Sequence, residues 1–334
     1  MEETKQPVRV AYLDAVKTIA LLLVFALHTQ RESVVTQPAH NSVLFYAARC
    51  CMPLFFMVNG SLILRKASFP FSYYKKKLGG IAQALVFSGL LIGVYVKIVH
   101  HFSVFKAGKE MLKGFLSYTP YAFLWFFYTF AMIYTLLLAV YPWIKKHIRL
   151  VTGSLLLVCL CAALASDYSI AHGGFFIQDR VTQRLRLWTW LFYFCLGYLL
   201  STADLKKWNA QGIRFLAVVF TIVCVGWQYW LCWRVTGQIE SNYMYDSLPV
   251  MVWSALVFLS FRVSPGISAA LARFAPYSYG AFLLHGFLVD GFQLQSAVHG
   301  APASTLVWIL LSAVCWTASW MLSKVPVVSR FFRY

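Results

Sequence analysis

One apolar segment near the start of the chain carries three ionisable residues on a single face. Asp14, Lys17 and His28 lie within YLDAVKTIALLLVFALHT. At about 100° per residue, Lys17 and His28 differ by roughly 20° around a helix, and a rise of about 1.5 Å per residue puts them roughly 16 Å apart. The spacing therefore predicts a polar stripe along one helix that lines a path for substrate. The alternative is a snorkelling Lys17 paired with Asp14, with His28 as a hydrogen-bonded core histidine.

Arg49 and His285 are two further ionisable residues within apolar segments. Arg49 occurs in AARCCMPLFFMVNGS, and its guanidinium needs an anionic partner or a wet cavity because it stays charged. An arginine that packs between helices and donates to carbonyls is the alternative. His285 occurs in YSYGAFLLHGF, where a neutral histidine bonded to a neighbouring helix is equally ordinary. An ionisable group at membrane depth costs at least about 2.5 to 3.5 kcal/mol, so these residues are functional candidates by default.

Asn59, Trp125 and Tyr128 are weaker candidates for a substrate-binding role. Asn59 precedes a glycine and a serine in MVNGS, and small residues of this kind equally suit close packing of two helices. Trp125 and Tyr128 lie in LWFFYTF, and aromatic residues are also typical of the belts at membrane interfaces.

The composition indicates that these residues are positioned by membrane-spanning helices. Sixty per cent of the 334 residues are hydrophobic and 12% are charged, whereas soluble domains carry about 25% charged residues. The apolar residues fall in runs of roughly 17 to 25, the length that crosses about 30 Å of hydrocarbon as helix. We therefore expect an all-α integral membrane protein, formed as a single domain over residues 1–334.

The hydropathy pattern predicts about ten transmembrane helices with both termini in the cytoplasm. The predicted spans are 11–30, 42–64, 79–99, 121–142, 148–166, 187–203, 214–233, 247–262, 276–296 and 303–323. With the N-terminus inside, 18 Lys and Arg residues lie in inner loops and nine in outer loops, as the positive-inside rule requires. The net charge of +18 is thus explained by orientation signals, and no nucleic-acid partner is expected.

The eight cysteines lack the spacing of a zinc site and the loop placement of a disulfide framework. All fall in or against predicted spans, so we interpret them as buried thiols and expect no metal.

Five segments, in order along nearly the whole chain, resemble the membrane acyltransferase 3 family. They are YLDAVKTIALLLVFALHT, RCCMPLFFMVNGSLIL, LWFFYTF, FYFCLGYLL and SYGAFLLH. The resemblance implies transfer of an acyl group, usually acetyl from cytoplasmic acetyl-CoA, to a hydroxyl of a surface glycan or its lipid-linked precursor. It implies a multi-pass protein of the cytoplasmic (inner) membrane. In size the chain is most similar to short members of the family, such as those that acylate enterobacterial common antigen or transfer succinyl groups to glucans.

The resemblance also assigns roles to the candidate residues. His28 takes the position of the essential histidine and Arg49 that of the arginine before Pro-Leu-Phe-Phe, so we expect them to act as general base and oxyanion holder. Asp14 is roughly 21 Å from His28 along the helix and cannot orient it as in a triad. The remaining candidates for substrate contact are Asp14, Lys17, Asn59, Trp125, Tyr128 and His285.

The donor phosphates are expected to bind cations at the cytoplasmic side, namely Lys17, Lys75, Lys76 and Lys77. Three positions depart from the family pattern. Lys17 replaces the usual arginine, Asn59 stands where serine is usual, and Gly80 where an arginine is common. Lys17 thereby loses the bidentate fork with which arginine holds a phosphate.

Outer arginines 180, 184 and 186 have two interpretations. They steer an anionic glycan or lipid pyrophosphate, or they form an ordinary solvated positive loop.

Two other functional classes remain open from the sequence. A transporter or flippase for a glycan or small anion would use the same charges to bind cargo, although no inverted repeat is visible. A sensor without catalysis is the third possibility. The acyl group transferred, the acceptor sugar and the oligomeric state are not determined by these patterns.

Overall fold

The computed structural model describes residues 9–30, 43–101, 124–206, 208–236, 242–292 and 300–326, with residues 103, 105, 106, 109, 294 and 329. Throughout these residues the regular structure is helical and contains no strand. The α-helices are α1 (Ala11–Thr29), α2 (Val43–Ala47), α3 (Cys51–Ile63), α4 (Phe71–His100), α5 (Trp125–Lys146), α6 (Ile148–Ala171), α7 (Ile177–Arg180), α8 (Leu187–Thr202), α9 (Ala210–Trp230), α10 (Leu248–Arg262), α11 (Pro265–Ala272), α12 (Ser278–Gly291) and α13 (Ala301–Leu322). The predicted all-α class is confirmed.

Six helical segments of the described chain are long and apolar enough to cross a membrane. They are α1, the segment Val43–Ile63, α5, α6, the segment Ala210–Trp233 and α13. A seventh candidate is the pair α10 and α11, which bends by 89° between Arg262 and Pro265. The helix α8 is apolar but has only 16 residues. The multi-pass architecture is thus supported, while the count of ten spans and the cytoplasmic termini stay predictions.

The second predicted span is one helical segment, Val43–Ile63, but it is not α-helical throughout. A 3-10 turn, Ala48–Cys50, separates α2 from α3. Pro53 accounts for the break, because it has no N–H to donate to the carbonyl of Arg49 four residues earlier, and its ring crowds that carbonyl. The turn places Arg49 at the junction of two helices.

Close contact between α3 and α8 forms the centre of the bundle. A Cβ on Gly60 would lie 1.7 Å from the carbonyl oxygen of Phe194, and one on Gly197 would lie 2.1 Å from that of Met57. Ser61 Oγ donates to the carbonyl of Gly197 at 2.8 Å. Small residues therefore let the two backbones touch, as in other membrane helix pairs. For Gly60 and Ser61, the packing interpretation is the one the structure supports.

The first helix lies inside the bundle rather than at its edge. It contacts α3, α11, α12 and α13. Trp308 Nε1 donates to the carbonyl of Leu22 at 2.8 Å, and Thr18 Oγ1 donates to the carbonyl of Leu271 at 3.2 Å. The ionisable stripe of α1 is therefore surrounded by protein on several sides.

Two arginines donate hydrogen bonds to backbone carbonyls at the C-terminal end of α8. Arg65 Nη2 donates to the carbonyl of Ser201 at 2.7 Å, and Arg262 Nη2 donates to that of Ala203 at 2.8 Å. Cations here satisfy helix carbonyls that have no partner within the helix.

The expectation for the cysteines needs one correction. Seven of the eight are buried, but Cys161 is exposed on α6. A thiol on an apolar helix can face lipid without cost, so its position within a span did not require burial.

Candidate functional site

His28 and His285 come together from two helices that are far apart in the sequence. Their ring centroids are 5.4 Å apart. His285 is fully buried on α12 and stacks on Phe25 at 4.9 Å, whereas His28 is partly exposed near the end of α1. His285 Nδ1 contacts the carbonyl of Phe282, and because a carbonyl only accepts, Nδ1 is the donor in this contact. Spacing along the chain could not have predicted this pairing.

Arg49 is buried next to α1, the helix that carries His28. It is 2% exposed, and the turn that carries it contacts α1. Its Cζ lies 5.5 Å from the ring centroid of Phe45 and 5.8 Å from that of Tyr245. Guanidinium groups are attracted to ring faces, and more strongly where water is excluded. Arg49 is therefore held by aromatic rings as well as by its helix junction.

Arg186 is a second buried arginine. It belongs to the group of three outer arginines for which the sequence left open a solvated positive loop. Arg186 is 0% exposed, so that interpretation is wrong for this residue. Its Cζ lies 5.9 Å from the ring centroid of Trp190. Its neighbours differ from it, because Arg180 is exposed over the ring of Phe175 and Arg184 is partly exposed.

The carboxylate beside Arg186 belongs to Asp246, which sequence reasoning missed. Asp246 is fully buried in the 3-10 turn Asn242–Asp246. It accepts hydrogen bonds from Thr189 Oγ1 and, at 3.3 Å, from Trp188 Nε1. Burial raises the pKa of Asp246, whereas the Thr189 hydroxyl and the Arg186 guanidinium act to lower it. One signal was available, since the chain has only 11 acidic residues and this one sits in the aromatic run NYMYD before a span.

Aromatic rings connect the buried charges to the start of α5. Trp190 is fully buried, and its ring lies 5.0 Å from Trp125, 4.8 Å from Phe56 and 5.3 Å from Tyr245. We call these four rings, Phe56, Trp125, Trp190 and Tyr245, the aromatic wall. Arg49 lies against it at Tyr245.

Phe126 links this wall to the histidine pair. Its ring lies 4.9 Å from Phe282, which in turn lies 4.9 Å from His285. Tyr128, two residues further along α5, is partly exposed and within electrostatic range of Arg184. One series of ring contacts thus runs from Arg49 through Tyr245 and Trp190 to Trp125, and a second runs from Phe126 through Phe282 to His285.

Asn59 is engaged in helix packing. Its Nδ2 donates to the carbonyl of Phe55 at 3.0 Å, and its Oδ1 accepts from Tyr134 OH at 3.3 Å. The bond from Tyr134 ties α5 to α3, and the bond to Phe55 lies within α3.

The other end of α1 holds a separate set of cations. The Asp14 carboxylate lies 3.9 Å from Arg9 Nε, and Lys17 is partly buried one turn later. By helix geometry Lys17 lies roughly 16 Å from His28, so it is not part of the histidine cluster.

The lysines at the start of α4 are arranged around aromatic rings. Lys77 Nζ lies 5.5 Å from the ring centroid of Tyr73, and Lys75 Nζ lies 4.9 Å from that of Phe71. Lys66, which was not predicted, lies 4.6 Å from the same Tyr73 ring. Lys76 is exposed.

No group of three or more His, Cys, Asp or Glu side chains suited to a metal occurs in the parts of the chain that the structure describes.

Comparison with known proteins identifies the family. The acyltransferase 3 family model, described as an acyltransferase domain, matches residues 10–324. No curated protein and no solved structure shows a significant match. The match spans the histidine pair, the two buried arginines, the aromatic wall and the lysine cluster, and the chain belongs to the acyltransferase 3 family.

Proposed function

We propose that this protein transfers an acyl group, most simply acetyl from acetyl-CoA, to a hydroxyl of a cell-surface glycan or its lipid-linked precursor. The site would operate within the cytoplasmic membrane. The observation that carries the proposal is the approach of His28 and His285, 5.4 Å apart, in a chain of an acyltransferase family; the turn that holds Arg49 contacts α1, the helix of His28.

In the proposed reaction, His28 removes the proton from the acceptor hydroxyl as its oxygen attacks the thioester carbonyl. His28 is the histidine assigned this role because it is partly exposed, whereas His285 is fully buried. The carbonyl oxygen becomes an oxyanion, and the Arg49 guanidinium stabilises it. Collapse breaks the carbon–sulfur bond, and CoA leaves with the proton that His28 had taken, so the enzyme is regenerated.

His285 orients His28 and excludes water in this scheme. Its Nδ1 is committed to the carbonyl of Phe282, and Phe25 covers one face of its ring. Rings that shut out water also strengthen the attraction between Arg49 and a developing negative charge.

Donor binding is assigned to the other end of α1. CoA carries phosphates, which need cations; Lys17 supplies one at this end of α1, and Lys75, Lys76 and Lys77 supply others at the start of α4. We add Lys66 to this group because it shares the Tyr73 ring with Lys77. The pantetheine arm would cover the distance of roughly 16 Å from Lys17 to His28.

The test is mass spectrometry of cell-envelope glycans from cells with the gene, without it, and with His28→Ala. We expect an alkali-labile acyl group that disappears in the deletion strain and in His28→Ala. The matched control is His172→Ala, which removes an exposed histidine at the end of α6. An unchanged glycan profile in the deletion strain would refute the proposal.

The transporter alternative has one observation in its favour, the 89° bend between α10 and α11. Broken helices line the cargo sites of many transporters, where they occur in pairs. The described residues contain one such bent pair. Transport predicts that the deletion changes where the glycan is located and leaves its acylation intact, and the same experiment distinguishes the two functions.

A further inference from the structure

The buried charges of this protein are concentrated around two rings. Among the side chains whose burial the structure describes, the buried Lys, Arg, Asp and Glu residues are Arg49, Arg186 and Asp246. Arg49 lies against Tyr245, Arg186 lies against Trp190, and the two rings are 5.3 Å apart. Asp246 directly follows Tyr245. Three charges in an apolar bundle are costly unless each is compensated, so their common location indicates a shared role.

Hydrogen bonds to α8 fix the backbone at Tyr245 and at the residue that follows it. Asp246 accepts from Thr189 Oγ1 and from Trp188 Nε1, which anchors the turn to the start of α8. Tyr193 OH donates to the carbonyl of Tyr245 at 2.9 Å. Both anchors are on α8, so Tyr245 cannot move relative to that helix without breaking one of them.

We propose that Asp246 is a positioning residue for acyl transfer: it holds the turn that presents Tyr245 to Arg49, and so sets where the guanidinium meets the oxyanion. The inference rests on the function proposed above. Asp246 is not a catalytic residue in this scheme, because it acts through Tyr245.

The charge of Asp246 matters as well as its shape. Asparagine has the same size, but it offers one acceptor oxygen and directs an NH2 group at a hydroxyl or indole donor. It would also leave Arg186 buried without the carboxylate beside it. The turn must then shift, and Tyr245 shifts with it.

The experiment measures acyl-transfer kinetics of Asp246→Asn in proteoliposomes, with labelled acetyl-CoA and a glycan fraction from cells lacking the gene. We expect kcat to fall about 10-fold to 100-fold, the effect of displacing a reacting group by about 1 Å, while the KM for acetyl-CoA stays unchanged. The control is Asp204→Asn, an exposed aspartate whose Oδ1 accepts from the Lys206 N–H at 3.0 Å. It should have wild-type kinetics.

A double-mutant cycle with Arg49→Lys separates positioning from general loss of structure. If Asp246 acts through Arg49, the double variant is about as slow as the slower single variant. Arg49→Lys has then already removed the guanidinium that Asp246 positions. If the two losses multiply, Asp246 acts independently of Arg49 and the proposal is overturned.

Thr189→Val provides a second route if Asp246→Asn does not fold. It removes one hydroxyl and keeps the carboxylate, so we expect the same kcat-specific loss and the same lack of additivity with Arg49→Lys. Wild-type kcat in Thr189→Val, or failure of both variants to fold, would assign this cluster to structure alone. Activity of the wild-type protein tests the proposed function separately from these comparisons.

Discussion

Replacing Gly60 with alanine tests how the fold holds the site together. The added Cβ would lie 1.7 Å from the carbonyl oxygen of Phe194, whereas real Cβ contacts essentially never fall below 3.0 Å. The α3 and α8 backbones must therefore separate by more than 1 Å. The obstacle is a backbone carbonyl, which cannot rotate away as a side chain could.

The expected cost follows from two opposing effects. Overpacking costs about 1 to 3 kcal/mol, and a rigid obstacle puts Gly60→Ala at the upper end of that range. Alanine returns about 1 kcal/mol through its better helix propensity. Separation also lengthens the bond from Ser61 Oγ to the Gly197 carbonyl, worth roughly 0.6 kcal/mol between membrane helices. We expect a net loss of roughly 2 to 3 kcal/mol.

The assay is thermal unfolding of detergent-solubilised protein, followed as the loss of the monodisperse fraction. Gly60→Ala should unfold several degrees below the wild type, and Gly197→Ala should behave similarly. Gly153→Ala and Gly226→Ala are matched controls, since a Cβ at either position meets nothing within 4 Å. They should be neutral or slightly stabilising. A Gly60→Ala protein as stable as these controls would refute the close approach of α3 and α8.

The remaining predictions concern the reaction. His28→Ala should abolish acylation while the protein inserts and folds normally, because a neutral side chain replaces the base; residual wild-type activity would exclude His28 as the base. Arg49→Lys should lower kcat by about 100-fold to 1,000-fold, the effect of losing one oxyanion donor, since a point charge replaces a planar fork. Full activity of Arg49→Lys would indicate that Arg49 has a packing role instead. Lys17→Ala should raise the KM for acetyl-CoA by roughly 10-fold to 150-fold, with the acceptor KM unchanged and Lys206→Ala as control. A raised acceptor KM with an unchanged donor KM would reverse the assignment of the two ends of α1.

The sequence allowed prediction of those parts of the candidate site that depend on the geometry of one helix. The periodicity of Asp14, Lys17 and His28 depends only on the geometry of α1, and the scarcity of charge in apolar runs marked Arg49 and His285. The 3-10 turn at Arg49 could also have been predicted, because Pro53 removes the hydrogen bond to that carbonyl. It was not predicted, since the hydropathy of the segment continues through the turn.

Contacts between distant segments could not be predicted in this way. His28 and His285 are brought together by the packing of α1 on α12, and Arg186 is buried near the ring of Trp190 and within electrostatic range of Asp246. A short stretch with several arginines predicts a solvated loop on composition alone. Tertiary contacts bury Arg186 instead, and a single sequence contains no record of those contacts.

The most direct test of the account is transfer of labelled acetyl groups by the purified protein in proteoliposomes. Acetyl-CoA labelled in the acetyl group would be supplied on one side, with a glycan fraction from cells lacking the gene on the other. The account predicts that alkali-labile label accumulates in the glycan with the wild type and with His172→Ala, and that none accumulates with His28→Ala. Transfer that persists in His28→Ala, or glycan that crosses the membrane without acquiring label, would contradict it.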